Sequence, residues 1–284
     1  MKQNLISYLF LLRPHSWIKN FFVFVPLVFA HGLFSPVQLT SAAWAFLAFC
    51  AVASAVYVMN DIVDAPHDRL HPRKKFRAVA AGTLSPGHAW ILAGALAATG
   101  SAITNTFVPV IMPAIGLYLL ANIAYSFYFK RVAVLDILMV AGFYVLRVSA
   151  GALAVGVPVS GWLLLATIFV SLFLVAGKRK AELLSSGASG REVLSAYTPE
   201  FLNATLLMSV VLLLMVYSIY TVTVLNSHMA VYSIFFVLLG VFRYLYLSLS
   251  SSEVEQPEKI IFSDFWIFIS AVSWIAFMYF TLYA

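Results

Sequence analysis

Charge is scarce in this sequence. Asp, Glu, Lys and Arg make up 10% of 284 residues, against 63% apolar types and a mean hydropathy of +0.96. A water-soluble fold of this length needs far more charged surface, so a soluble enzyme or carrier domain is excluded. Cysteine is almost missing too. Cys50 stands alone in an apolar run, which rules out an intrachain disulfide and a thiolate metal cluster. Acidic residues number 11 against 17 Lys and Arg. The excess base lies in short stretches between apolar runs, a distribution that orients a chain in a bilayer and argues against nucleic acid as a partner.

What the chain does have is apolar length. Stretches of about 17 to 25 residues recur throughout, so the chain is read as one all-α, polytopic membrane domain covering 1–284. The first stretch is followed by further spans with no small-residue cleavage pattern, so it is not read as a signal peptide. Nine transmembrane helices are expected, at roughly 18–34, 40–61, 88–104, 109–128, 134–155, 161–177, 201–224, 229–249 and 262–282.

The charge pattern supports that count. Turns 31–39, 105–108, 156–160 and 225–228 contain no Lys, Arg, Asp or Glu. The intervening turns hold Arg69, Arg73, Lys74, Lys75, Arg77, Lys130, Arg131, Lys178, Arg179, Lys180, Arg191 and Lys259. By the positive-inside rule the N-terminus is cytoplasmic, and every chemistry-bearing turn opens on that face of an inner (cytoplasmic) membrane. The two longest, 62–87 and 178–200, read as cap loops of surface turns and short helices.

The densest chemistry is NDIVDAPHDRLHPRKKFRAVAAG, Asn60 to Gly82. On a helix, Asn60, Asp61, Asp64 and Asp68 fall within an arc of about 100°. Asn60, Asp64 and Asp68 are spaced to share Mg²⁺, which takes few protein carboxylates and fills its shell with water and substrate phosphate. Pro66 disfavours helix at the residue before it, which puts Asp68 at or beyond the helix end. The competing reading is an acidic helix end at the membrane surface. It leaves three carboxylates beside an apolar run without a compensating cation, which is costly.

Five Lys and Arg follow within nine residues, Arg69 to Arg77. Lys75 and Arg77 are the first choices for substrate phosphate, as point charge and bidentate fork. Basic residues beside a span also bind anionic lipid and set topology. A second cluster, YSFYFKRVAVLD, supplies Lys130, Arg131 and Asp136, and Arg147 follows about 16 Å deeper along the helix. A guanidinium at that depth must face the protein interior, on a substrate anion or on Asp136 through water. Lys178, Arg179, Lys180 and Glu182 end the sixth expected span, as phosphate contacts or as a solvated anchor. His67, His71 and His88 lack zinc spacing, and Arg243 lies close enough to a span end to snorkel.

NDIVDAPHD matches in full the first aspartate motif, NDxxDxxxD, of the UbiA superfamily of intramembrane prenyltransferases, and the chain resembles that superfamily. Its second motif, typically YTxxKRxTxxDxxxD, is similar to YSFYFKRVAVLDILMV, with Val140 where a second aspartate usually stands. RPHSWIKNFFVFVPLVFA, LRVSAGA and GKRKAEL look like the branch that transfers phosphoribosyl groups to decaprenyl phosphate. The resemblance implies a nine-helix UbiA-like bundle with cytoplasmic cap loops. It implies a Mg²⁺-dependent transferase with phosphoribosyl pyrophosphate as donor and polyprenyl phosphate as acceptor. Asn60, Asp64 and Asp68 would hold Mg²⁺, with Asp61 assisting. Lys75, Arg77, Lys130 and Arg131 would contact donor phosphates, and Arg147 and Lys178 to Lys180 the donor 5-phosphate or acceptor phosphate. Asp136 would steady oxocarbenium character. A prenyltransferase using an isoprenyl diphosphate, and a transporter, are the alternatives.

Overall fold

A computed structural model of the chain describes residues 11–70, 74–186, 192–225, 228–250 and 257–283. His71, Arg73 and Arg191 of the expected basic turns lie outside them. The described residues form helices and connecting turns, in two compact units comprising residues 1–130 with 146–158, and 131–145 with 159–284.

The first unit opens with a 3-10 helix, Pro14–Phe24, running into a short α1, Val25–Phe29. Helix α2, Pro36–Asp68, is 33 residues long; Pro36 occupies its first turn and Ser35 Oγ accepts from Gln38 N as its N-cap. Helices α3, Pro86–Phe107, and α4, Met112–Phe127, follow. Helix α5, Leu135–Val155, supplies its last residues here.

Backbones approach closely where side chains vanish. A Cβ on Gly151 of α5 would collide with the Val23 carbonyl oxygen, so glycine is what lets the first segment seat there. Polar links fasten the same segment at membrane depth. Trp17 Nε1 donates to Ser54 Oγ (3.0 Å), Ser54 Oγ to the Leu12 carbonyl (2.8 Å), and Asn20 Nδ2 to Cys50 Sγ (3.3 Å). Such bonds replace the water that a bilayer interior lacks.

The second unit contains the start of α5 and then α6, Gly161–Ser186, α7, Pro199–Thr223, α8, His228–Tyr232, α9, Ile234–Ser250, α10, Pro257–Ser263, and α11, Phe265–Tyr283. One apolar cluster joins Phe173, Ala176, Leu206, Val210, Tyr244 and Ile267; another joins Ile137, Val175, Val193, Leu194, Tyr197 and Leu202. A polar knot centres on Tyr217 Oη, which lies 2.5 Å from Ser233 Oγ and accepts from Trp274 Nε1 at 2.7 Å.

The architecture is all-α and polytopic. Among the described residues, seven helical segments are long and apolar enough to cross a membrane: α2, α4 with its leading 3-10 turn, α5, α6, α7, the stretch from Met229 through α9, and α11. The other two expected spans are helical but differ in kind. The first is short and mostly 3-10, and α3 ends in a run of Ser, Thr and Asn. Two spans also outrun the sequence expectation: α2 reaches Asp68 rather than 61, and α6 reaches Ser186 rather than 177. Helical hydrogen bonding does not stop where apolarity does, so the polar motifs are carried on the same helices and the cap loops are correspondingly shorter.

Candidate active site

The acidic motif is helical throughout. Pro66 sits inside α2 rather than ending it, so Asn60, Asp64 and Asp68 occupy i, i+4 and i+8 on one face. Each group has a partner. Asn60 Oδ1 accepts from Ser126 Oγ. Asp64, the most exposed of the three carboxylates at 36%, takes Lys130 Nζ at 2.5 Å. Asp68 is buried and accepts from Arg77 Nη1 at 2.7 Å.

Asp61 stands apart from this row. It is 3% exposed and accepts from the Arg13 guanidinium, with Arg77 Nη1 3.3 Å away. Arg77 therefore bridges two carboxylates. Its backbone is fixed in turn: Ala81 N donates to the Arg77 carbonyl (2.7 Å) and Leu84 N to that of Ala78 (3.1 Å). Gly82 makes the return at φ 75°, a left-handed conformation that suits glycine. Val79 and Leu84 anchor the turn by packing with Leu11, Val58, Ala65, Ala89 and Ala93. Three acids thus face Arg13, Arg77 and Lys130.

The other expected bases are distributed differently. Lys75 is exposed, its ammonium 5.2 Å from the Phe76 ring centre, and Arg131 is exposed as well. Arg69 Nε donates to the Ala80 carbonyl (3.3 Å), tying the turn to the helix end. Arg147 is 3% exposed; its Nε donates to Asn20 Oδ1 (2.7 Å) and its Nη2 to Tyr118 Oη (2.8 Å), with the guanidinium 4.9 Å from the Tyr118 ring centre. The expected companions were a substrate anion or Asp136; those seen are Asn20 and Tyr118.

In the second unit Asp136 is fully buried, and both its oxygens accept from Arg179, Nε at 2.5 Å and Nη2 at 2.8 Å. Arg179 Nη1 also donates to Glu182 Oε2 at 2.8 Å. Lys178, on the same helix, is half-buried. Tyr197 Oη accepts from Val134 N (2.9 Å), and burial pushes its phenol above the usual range, so it stays protonated. Val134 itself is left-handed, at φ 69°, where the chain turns into α5. Val140, partly buried, packs against the cluster of Ile137, Val175, Val193, Leu194, Tyr197 and Leu202.

Arg13, Asn20, Tyr118 and Ser126 enter this picture unannounced. Arg13 looked like one more flanking base of a first span. Asn20 carried a signal: an amide inside an apolar run has to find a partner.

The donor set suits a hard divalent cation. Asn60, Asp64 and Asp68 offer only oxygen, on one helix face, beside bases that could exchange partners. Among the described residues no three His, Cys, Asp or Glu side chains converge as a ready-made metal cluster.

Known proteins resemble this chain in sequence and in fold. The chain is 34% identical over 275 residues to decaprenyl-phosphate phosphoribosyltransferase of Mycobacterium tuberculosis, covering 93% of this chain and 90% of that one. It is 38% identical over 216 residues to the Corynebacterium glutamicum protein of the same name, covering 74% of this chain and 65% of that one, just under two thirds of its length. Among solved structures, a UbiA homologue from Archaeoglobus fulgidus bound to GPP and Mg²⁺ superposes with a TM-score of 0.77 at 19% identity, covering 98% of this chain and all of that one. A UbiA homologue from Aeropyrum pernix K1 in its apo form gives 0.71 at 17%, over 92% and 97%. The model of the UbiA prenyltransferase family matches residues 19–272, across both units. With its aspartate row on α2 and its all-helical fold, this chain belongs to the UbiA prenyltransferase family.

Proposed function

We propose that the chain transfers 5-phosphoribosyl from phosphoribosyl pyrophosphate to a polyprenyl phosphate, releasing pyrophosphate, in a Mg²⁺-dependent reaction at the cytoplasmic face. The observation that carries this reading is the 34% identity over 93% of the chain to a protein of that activity by name. Val140 supports it independently. A prenyl diphosphate held through two metal ions calls for carboxylates from both motifs, and position 140 lies in apolar packing instead.

Asn60, Asp64 and Asp68 would hold Mg²⁺, which supplies charge neutralisation for the leaving diphosphate. The remaining work belongs to side chains. Lys130 and Arg77, now on Asp64 and Asp68, are placed to turn to donor phosphate, and Lys75 and Arg131 are exposed. Asp61 keeps Arg13 and Arg77 oriented.

The bond from ribose C1 to the pyrophosphate oxygen breaks as a phosphate oxygen of the lipid bonds to C1, with inversion. The lipid phosphate is already anionic near neutral pH, so no general base is required. Asp136 has both oxygens on Arg179, and its part is to aim that guanidinium rather than to stand against developing positive charge. Arg147 and Lys178 remain assigned to the anionic ends of the substrates, Arg147 through its hold on Asn20 and Tyr118. The nine-span topology with a cytoplasmic N-terminus belongs to the same proposal, with the bilayer as its solvent and lipid source.

Purified protein given labelled phosphoribosyl pyrophosphate, polyprenyl phosphate and Mg²⁺ should produce labelled lipid. Turnover of an isoprenyl diphosphate onto an aromatic or lipid acceptor instead, or passage of an unmodified solute across vesicles, would replace this reading.

A further inference from the structure

Val134 is held in a conformation that its own side chain disfavours. Its φ is 69°, and a β-branched residue there is an outlier because its Cβ crowds the backbone. The chain uses glycine for two of its other left-handed turns, Gly82 and Gly156, and the unbranched Arg13 and His31 for two more. Packing does not explain a valine at this point, since Val134 is 46% exposed. Backbone of this kind persists only where its surroundings enforce it, and it concentrates at functional sites.

The enforcing group is Tyr197, whose Oη accepts from Val134 N at 2.9 Å. That phenol is itself firmly seated. Tyr197 is 5% exposed, its ring stacks on Phe201 with centres 5.7 Å apart, and it belongs to the apolar cluster against which Ala133 also packs. Its backbone N donates to the Leu194 carbonyl (3.2 Å) at the end of the 3-10 helix Glu192–Ala196. The next residue, Thr198, caps α7 by accepting from Phe201 N at 3.2 Å. A rigid side chain from the second cap loop therefore grips one peptide N–H in the turn that leads into α5.

The place of that grip gives it a consequence. Two residues downstream, Asp136 is anchored through both carboxylate oxygens to Arg179. Three residues upstream, Arg131 ends the 3-10 turn Phe129–Arg131. With the α5 side fixed, the torsion at Val134 decides the direction in which the chain leaves towards Arg131. We infer that Tyr197 is a positioning residue: by holding Val134 left-handed, it aims Arg131 at the donor diphosphate. This deepens the proposed function and rests on it for placing Arg131 at donor phosphate.

The test is equilibrium binding to the full-length protein in detergent, with pyrophosphate plus Mg²⁺ as one probe and a short polyprenyl monophosphate as the other. Tyr197→Phe keeps the ring and removes only the acceptor of the Val134 N–H. It should weaken pyrophosphate about fivefold, the scale of one hydrogen bond, and leave the lipid probe within about twofold. Adding Val134→Gly to Tyr197→Phe should restore most of the lost affinity, because glycine takes the left-handed conformation without being forced. A wild type that does not bind pyrophosphate, unchanged affinity in Tyr197→Phe, or a double variant no better than Tyr197→Phe would overturn the inference. Equal weakening of both probes with a lowered Tm would overturn it too, marking a packing role. If pyrophosphate affinity follows the expected pattern yet wild type forms no labelled lipid in the transfer assay, the clasp stands and the proposed reaction falls. If labelled lipid forms and the variants bind as wild type does, the reaction stands and the clasp falls.

Discussion

Single residues in the acidic motif have separable jobs. Asp64 is the most exposed carboxylate of its row and the one whose partner, Lys130, is most easily exchanged. Asp64→Asn should lower turnover at least about 100-fold, the scale of losing one element of electrostatic stabilisation, with a normal elution profile and Tm. A wild-type rate at ordinary Mg²⁺ would remove Asp64 from the metal site. Asp61 answers to different physics because it is buried under two guanidiniums. Arg13→Ala should cost about 1–3 kcal/mol through the charge it strands, and Asp61→Asn in the same protein should recover much of that. A double-mutant cycle in thermal unfolding checks it, and purely additive losses would disprove the pairing. The carboxylate row was legible because identical spacing is what a helix face imposes. Arg13 was not, since its pairing with Asp61 spans 48 residues and depends on how the first segment seats against α2.

At the scale of elements, the helices were readable from apolar length, and their ends were not. Pro66 was expected to cut α2 short, yet Asp68 remains helical and is held from outside by Arg77. The closeness of the first segment to α5 left only a glycine as trace. Gly151→Ala should cost at least about 1–3 kcal/mol by overpacking against the Val23 carbonyl, read as a lower Tm in detergent; an unchanged Tm would mean the contact yields freely. The junction of α9 with α11 carries a pH-dependent tie. Arg243 donates to Asp264 Oδ2, and Asp264 Oδ1 accepts from Ile267 N at the start of α11. The bond from Arg243 holds the Asp264 carboxyl below its usual range. Its stabilisation is therefore complete above about pH 4 and is lost as pH falls through the lowered value. The Tm gap between wild type and Asp264→Asn should close on acidification; a gap that widens would contradict the sign.

For the whole molecule, the proposed orientation rests on where charge is missing and is tested by labelling. Cys50 is the only cysteine and is buried, so the native chain is a silent background for thiol labelling. A cysteine at exposed His67 should react with an impermeant maleimide only from the cytoplasmic side, and one at exposed Val37 only from the opposite side. Labelling of both from one side would break the nine-span arrangement. The resting arrangement around α2 has one more consequence. Its acids and bases neutralise one another, so the apo protein is an internal salt whose members must be prised apart before any ligand gains full use of them. A divalent ion that draws Asp64 away liberates Lys130 for an anion, and an anion that captures Arg77 frees Asp68 for an ion. Each guest thereby lowers the cost of admitting the other, and by reciprocity of linkage a metal titration run with pyrophosphate present should saturate at lower concentration than one run without it.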